Sequence, residues 1–228
     1  MNDYESLKMN EFWVLFANNS FDSNRLNIQE LKYPLAMHVP SSAFAQNKKL
    51  KVLEDCFSMS AEIAFLTGSD LKVGDSCNNI DLIDSFYLVI SSTNNFHIKE
   101  MKNRIVNLSD QDESDAEYYT RWYDQSNIVS CELPNSRLDA DFYQNTLYGN
   151  NLEFEYCNVK INEKIKYYHS PIDILKFISS FTPVYKGTLI CMGNLFRQEF
   201  QLKDHNYGTA HVKINDTVHF KVEVEAVI

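Results

Sequence analysis

The stretch Ser170-Pro-Ile-Asp-Ile-Leu-Lys-Phe-Ile-Ser-Ser-Phe-Thr-Pro-Val-Tyr-Lys-Gly-Thr-Leu-Ile-Cys-Met-Gly193 carries a helix, a turn and a strand in that order. Ser170 suits an N-cap because its hydroxyl can accept from an orphan N–H of the first turn. Pro171 has no N–H to lose at the first helical position, and Asp173 places a negative charge at the positive end of the helix. Ile172, Leu175 and Ile178 recur at helical spacing, so 171–180 is predicted to be a short helix with one buried face. Lys186–Gly187 reads as a turn and Thr188–Met192 as a strand.

Outward from that stretch, strands dominate. In the tail, Val218, Phe220, Val222, Val224, Ala226 and Ile228 alternate with His219, Lys221, Glu223 and Glu225, the pattern of a half-buried strand. Asn215–Asp216 supplies the turn before it. Glu62–Thr67 reads as a buried strand ended by Gly68, and residues 82–91 form a second apolar run. Residues 34–60, with Pro34, Pro40 and Ser41–Ser42, read as irregular, and Phe12–Phe16 as a strand or short helix. The strands are not spaced as βαβ units, so the expected class is α+β, on a mainly antiparallel, curved sheet.

Composition bounds the function. The 228 residues are 44% hydrophobic and 23% charged, which is globular and not disordered. A net charge of −10 argues against unaided binding to nucleic acid or an anionic membrane. Asp3 and Glu5 stand where a secretory signal carries basic residues, and the apolar run Phe12–Ala17 is short for a signal core, so a cytoplasmic location is expected. The five cysteines (Cys56, Cys77, Cys131, Cys157, Cys191) form no CxxC pair, and reduced thiols are expected. The histidines show no metal-binding spacing. Five acids between Asp110 and Glu117 lack the glycine and closing glutamate of a calcium loop and read as a solvated segment. No GxSxG, P-loop, HExxH or GxGxxG is present.

Five segments in order resemble the fumarylacetoacetate hydrolase family over roughly residues 34–228. Met37–Ser42 is similar to the family's Leu-Lys-Pro-x-Ser-Ser. Glu62–Gly68 is similar to its Glu-Leu-Ala-Val-Val-Ile-Gly. The helix and strand of 170–193 resemble its helix leading to Gly-Asp-Val-Ile-x-Thr-Gly-Thr. Asn215–Val218 and Glu223–Val227 follow its closing strand. The resemblance implies a β-rich roll of mixed strands with few short helices, in a 34–228 domain preceded by a 1–33 lid or packing segment. It also implies a homodimer. Such enzymes hydrolyse, decarboxylate or tautomerise small 2-oxo or β-diketo acids with Mg²⁺, Mn²⁺ or Ca²⁺.

Residue by residue, the resemblance implies a depleted site. The family places Glu-x-Glu on a strand so that both carboxylates reach one ion, whereas here Ser60 stands before Glu62. Ser92 falls at the family's third metal carboxylate in a gapless match. Glu62 is therefore the one metal-ligand candidate, or else a carboxylate paired with a nearby cation or backbone donor. Arg121-Trp-Tyr-Asp124 occupies the slot of Lys-Ser-Phe-Asp; Arg121 and Asp124 either grip a substrate or form a rim salt bridge. Met192-Gly-Asn194 replaces Thr-Gly-Thr, leaving Asn194 to bind substrate while Met192 adds bulk. His38 replaces a pocket lysine, as a carboxylate binder or a structural residue. The N-terminal His-x-x-Glu of active members has no counterpart around Glu30.

Two functions follow as expectations. In the favoured one, the metal and catalytic site is degenerate, no cofactor is retained, and the chain binds a small oxo acid or carboxylate with little or no catalysis. In the alternative, a rearranged site with Mg²⁺, Mn²⁺ or Ca²⁺ still turns over such acids. Neither involves nucleic acid or a membrane.

Overall fold

A computed structural model describes residues 11–16, 18–19, 35–39, 43, 49–53, 56–77, 82–94, 126–130, 132–137, 141–201 and 207–227. They contain twelve strands: β1 (Glu11–Phe16), β2 (Leu35–Val39), β3 (Lys49–Leu53), β4 (Cys56–Thr67), β5 (Ile83–Asn94), β6 (Asn127–Val129), β7 (Asn151–Tyr156), β8 (Val159–Lys164), β9 (Thr188–Cys191), β10 (Phe196–Gln201), β11 (Tyr207–Ile214) and β12 (Thr217–Val227). A single helix, α1 (Pro171–Ser179), and a wide helical turn at Tyr143–Leu147 complete them. The expected α+β, strand-rich roll is what the chain forms.

The strands make a seven-stranded sheet, β2-β1-β9-β4-β5-β6 with β10 also on β4, and a five-stranded sheet, β3-β12-β11-β7-β8. Both are mixed: β1 runs parallel to β9 and β3 parallel to β12, while the other pairs are antiparallel. Parallel pairs need long connections, so the non-local ones here tie residues near both ends of the chain into one framework. β1 in particular lies inside the seven-stranded sheet, between β2 and β9.

The core lies between the sheets. The faces Phe57, Met59, Ala61, Ile63 and Phe65 of β4 and Phe220, Val222 and Val224 of β12 belong to one apolar cluster. Aromatic rings bridge it: Phe154 on β7 meets Phe196 at 5.0 Å, and Tyr156 meets Phe200 at 5.0 Å. Offset and edge contacts at such separations add to the area buried.

α1 begins as its sequence dictates. Asp173 N–H donates to Ser170 Oγ at 3.3 Å, and Ser170 N–H donates to the Asp173 carboxylate at 3.4 Å, a reciprocal cap worth about 1 kcal/mol. The buried face is Ile174, Leu175 and Ile178, with Ile172 at its margin and not at its centre. The β11–β12 hairpin turns on Asn215 (φ 47°) and Asp216 (φ 65°), left-handed conformations that asparagine and aspartate tolerate.

The described residues of 34–60 are mostly strand, not irregular. Leu35–Val39, Lys49–Leu53 and the first part of β4 are strands. Pro34 and Pro40 flank β2, an edge strand, where a missing N–H breaks no interior ladder. Cys77, Cys157 and Cys191 are not in disulfides. The acidic 110–117 segment lies outside the described residues. No helix among the described residues is long and apolar enough to cross a membrane.

Candidate functional site

β4 has two different faces. Its odd-numbered residues enter the apolar core. Its even-numbered residues Ser58, Ser60, Glu62 and Ala64 are also buried. Cross-strand pairing extends this second face over β5, where Thr93, Ser91, Val89 and Tyr87 stand opposite those four residues. Side chains of directly paired residues point the same way. The result is a buried, mostly polar surface on one side of the sheet. Glu62 is the only fully buried acidic or basic side chain among the described residues.

The same edge of β4 is shared by two strands. β10 pairs with Cys56–Ala61 and β9 with Ala64–Leu66. Glu62 and Ile63 fall in the gap, where no strand completes the ladder. The segment Met192–Leu195, joining β9 to β10, closes it. Met192 N–H donates to Ile63 O at 2.8 Å, and Leu195 N–H donates to Ala61 O at 3.1 Å. Tyr167 supplies the rest: its hydroxyl accepts from Ile63 N–H at 3.2 Å and donates to Gly193 O at 3.0 Å.

Gly193 is the turning point. Its φ of 105° is a left-handed backbone that a β-carbon would strain, and it aims the Gly193 N–H at Glu62 Oε2, 3.2 Å away. Ser91 Oγ donates to Glu62 Oε1 at 3.5 Å, a long contact. Glu62 is thus gripped by a backbone donor. Burial drives the Tyr167 phenol well above its ordinary pKa; the Ile63 N–H opposes this and the Glu62 charge adds to it, so Tyr167 stays protonated.

Two asparagines from beyond β1 brace the turn. Asn18 Nδ2 donates to Met192 O at 3.0 Å while Asn18 Oδ1 accepts from His169 N–H at 2.9 Å. Asn19 Nδ2 donates to Asn194 O at 2.8 Å. Beside these bonds, the Ser60 hydroxyl and both amide atoms of Asn194 are buried without any partner.

The structure brings Glu62, Ser60 and Asn194 to one place, since Gly193 bonds Glu62 and Leu195 bonds the carbonyl of Ala61. It does not bring His38 there. His38 pairs with Trp13, which pairs with Ile190, which pairs with Phe65. That row is three strands wide, about 14 Å, and faces the side opposite to Glu62. His38 is exposed, with its ring edge-on to Trp13 at 5.5 Å. Ser91, not Ser92, shares the Glu62 face; Ser92 Oγ donates to Lys51 O at 2.9 Å on the other side. Met192 packs its side chain into the apolar core. Arg121, Trp122 and Asp124 lie outside the described residues.

Sequence reasoning missed Asn18, Asn19, Tyr167 and Arg197. Arg197 on β10 is half-buried and directly opposite Ser60. Its signal was available: Phe196 and Phe200 mark one face of a strand, so Arg197 and Glu199 must take the other. Asn18, Asn19 and Tyr167 had no comparable spacing.

The family implied by the sequence uses a divalent cation. Among the described residues no three His, Cys, Asp or Glu side chains are grouped as metal ligands. On the Glu62 face of β4 and β5 the flanking side-chain oxygens include the hydroxyls of Ser60 and Ser91.

No protein-family model matches the sequence, and no curated protein matches it. Solved structures do match. A fumarylacetoacetate hydrolase family protein from Yersinia pestis CO92 superposes with a TM-score of 0.71 at 13% identity, covering 97% of this chain and 94% of that one. A yeast fumarylacetoacetate hydrolase family protein gives 0.67 at 13%, covering 98% and 96%. The fumarylpyruvate hydrolase of Pseudomonas aeruginosa, solved with Mn²⁺ and pyruvate, gives 0.68 at 10%, covering 100% and 93%. At such identities a likeness speaks for architecture, and over nearly the whole length of each chain that architecture is the fumarylacetoacetate hydrolase fold.

Proposed function

We propose that this chain is a divergent fumarylacetoacetate hydrolase-fold protein that binds a small carboxylate or 2-oxo acid at the β4 gap, with no resident metal and little or no catalysis. The supporting observation is the composition of the polar face: one buried carboxylate, Glu62, among neutral hydroxyls, with the half-buried Arg197 opposite Ser60. Hard divalent cations take six or more oxygens, with carboxylates supplying the compensating charge. In metal-dependent hydrolysis or decarboxylation the ion acts as a Lewis acid on the developing enolate charge. The described donor set does not fit such an ion, so no step is routed through one. A ligand carboxylate has a better partner in Arg197, whose planar guanidinium can bond both oxygens at once. Arg121 and Asp124 are kept as further contacts of this reading; His38, three strands away on the opposite face, is too far to share that ligand.

A second reading, an active hydrolase, decarboxylase or tautomerase with a rearranged metal site, is favoured by Glu62 itself, which stays on a strand face where two serines add oxygen atoms. Thermal melts with Mg²⁺, Mn²⁺ and Ca²⁺ separate the two. An ion at ~100 times its dissociation constant would add roughly 2.7 kcal/mol of stability. The favoured reading expects no shift, and no turnover of acylpyruvates or oxaloacetate. A shift that disappears in Glu62→Gln overturns it.

A homodimer and a cytoplasmic location are part of the proposal through the fold likeness. Elution from gel filtration at the monomer mass of 26.5 kDa would refute the dimer.

A further inference from the structure

The Met192–Leu195 turn is bonded through most of its backbone groups, yet it buries a side-chain amide that bonds to nothing. Asn18, Tyr167 and Asn19 hold the carbonyls of Met192, Gly193 and Asn194 in succession. The N–H groups of Met192, Gly193 and Leu195 are used as well. A turn so constrained cannot relax to feed the Asn194 amide, which is 1% exposed with Oδ1 and Nδ2 both unmet. The nearby Ser60 hydroxyl, 2% exposed, is in the same state. Orphaned buried polar atoms are rare and destabilising, and a rigid site that keeps them is suited to a ligand that meets them.

We propose that Asn194 is a subsite for the carboxamide of a small acid: the ligand N–H donates to Oδ1, and the ligand C=O accepts from Nδ2. This rests on the carboxylate-binding reading above, with Arg197 taking the acid group next to the amide. The complementarity follows from donor and acceptor counts. A carboxylate would set acceptor against acceptor at Oδ1. A ketone would leave Oδ1 unmet. A carboxamide satisfies both atoms.

Oxamate and pyruvate isolate the point, because they share a carboxylate and a carbonyl and differ by an amino group in place of a methyl. Calorimetric titration of the full chain is expected to show oxamate binding about tenfold or more tighter than pyruvate, since sites built to hydrogen-bond a ligand group discriminate strongly against analogues that lack it. In Asn194→Leu, which removes the unmet amide, the protein is expected to stay folded and the ratio to fall to about one. Asn194→Ala is read for the same ratio should the leucine variant fail to fold. Equal affinities in the wild type overturn the amide assignment and leave carboxylate binding standing. A ratio that survives in Asn194→Leu also overturns it. Failure of both acids to bind overturns this proposal together with the reading it rests on, whereas the metal-dependent melt bears on that reading alone.

Discussion

Tyr167→Phe should destabilise the protein by about 2–6 kcal/mol, far more than the loss of one hydroxyl from a tyrosine ordinarily does. The ring fits as before, so no cavity opens. What changes is the gap in β4. The Tyr167 hydroxyl accepts from the Ile63 N–H and donates to the Gly193 carbonyl. Without it two buried backbone groups lose a bond, at about 1–3 kcal/mol each. For a chain of this size the melting temperature should fall by roughly 5–15 °C. Tyr168→Phe, at a neighbouring half-exposed ring, is the control and should stay within about 0.5 kcal/mol. Urea denaturation reads both. A Tyr167→Phe midpoint indistinguishable from wild type would mean that these two groups find other partners, and the account of the gap would be wrong.

The same gap explains which parts of the molecule the sequence disclosed. Helix α1, its serine cap and the β11–β12 hairpin are local: each is written within a dozen residues, in cap chemistry or in a period of two, and each forms as read. β4 is only half legible. Ile63, Phe65 and Thr67 look like a strand, but Cys-Phe-Ser-Met-Ser (56–60) alternates apolar side chains with serines that are themselves buried, so it resembles neither an exposed strand nor a core one. β2 was hidden by flanking prolines that bound it and do not break it. For the site, the two-residue spacing of Ser60 and Glu62 correctly places both on one face. Asn18, Asn19 and Tyr167 carry no spacing because they meet the Met192–Leu195 turn from far along the chain, Asn18 from 174 positions away. Likewise His38 was assigned by local similarity, and only the strand order reveals that it stands at the sheet edge on the opposite face. Contacts set by topology leave no mark in a window of sequence.

Raising the pH should unfold the protein steeply above about pH 10. Four buried tyrosines, Tyr87, Tyr143, Tyr156 and Tyr167, each have a phenol pKa above the ordinary value, with burial the leading cause. At Tyr87 the neighbouring Ser85 hydroxyl opposes the shift without cancelling it; at Tyr156 the adjacent Cys157 adds to it. The sign follows from proton counting. Above the unfolded value of about 10, the unfolded chain gives up phenol protons that the native state keeps, so the unfolded state is favoured. The stabilisation is complete below about pH 10 and is lost as the pH climbs towards the folded values. Between about pH 10 and 11 an unfolded tyrosine goes from half to roughly nine-tenths ionised, about 1 kcal/mol for each phenol that stays protonated in the fold, so Tyr143, Tyr156 and Tyr167 contribute about 3 kcal/mol and Tyr87 adds less. That is a large share of the ~5–15 kcal/mol that holds a typical domain together. Urea midpoints measured across this range should drop accordingly, and the buried tyrosines should yield tyrosinate absorbance only with unfolding. Tyr143 gives a sharper check. Its hydroxyl approaches the Tyr167 backbone without a hydrogen bond of good geometry. Tyr143→Phe should therefore cost little at neutral pH and flatten the alkaline slope by roughly a quarter to a third. Smooth ionisation of all 13 tyrosines in a chain that circular dichroism reports as folded would contradict the burial assigned to these four rings.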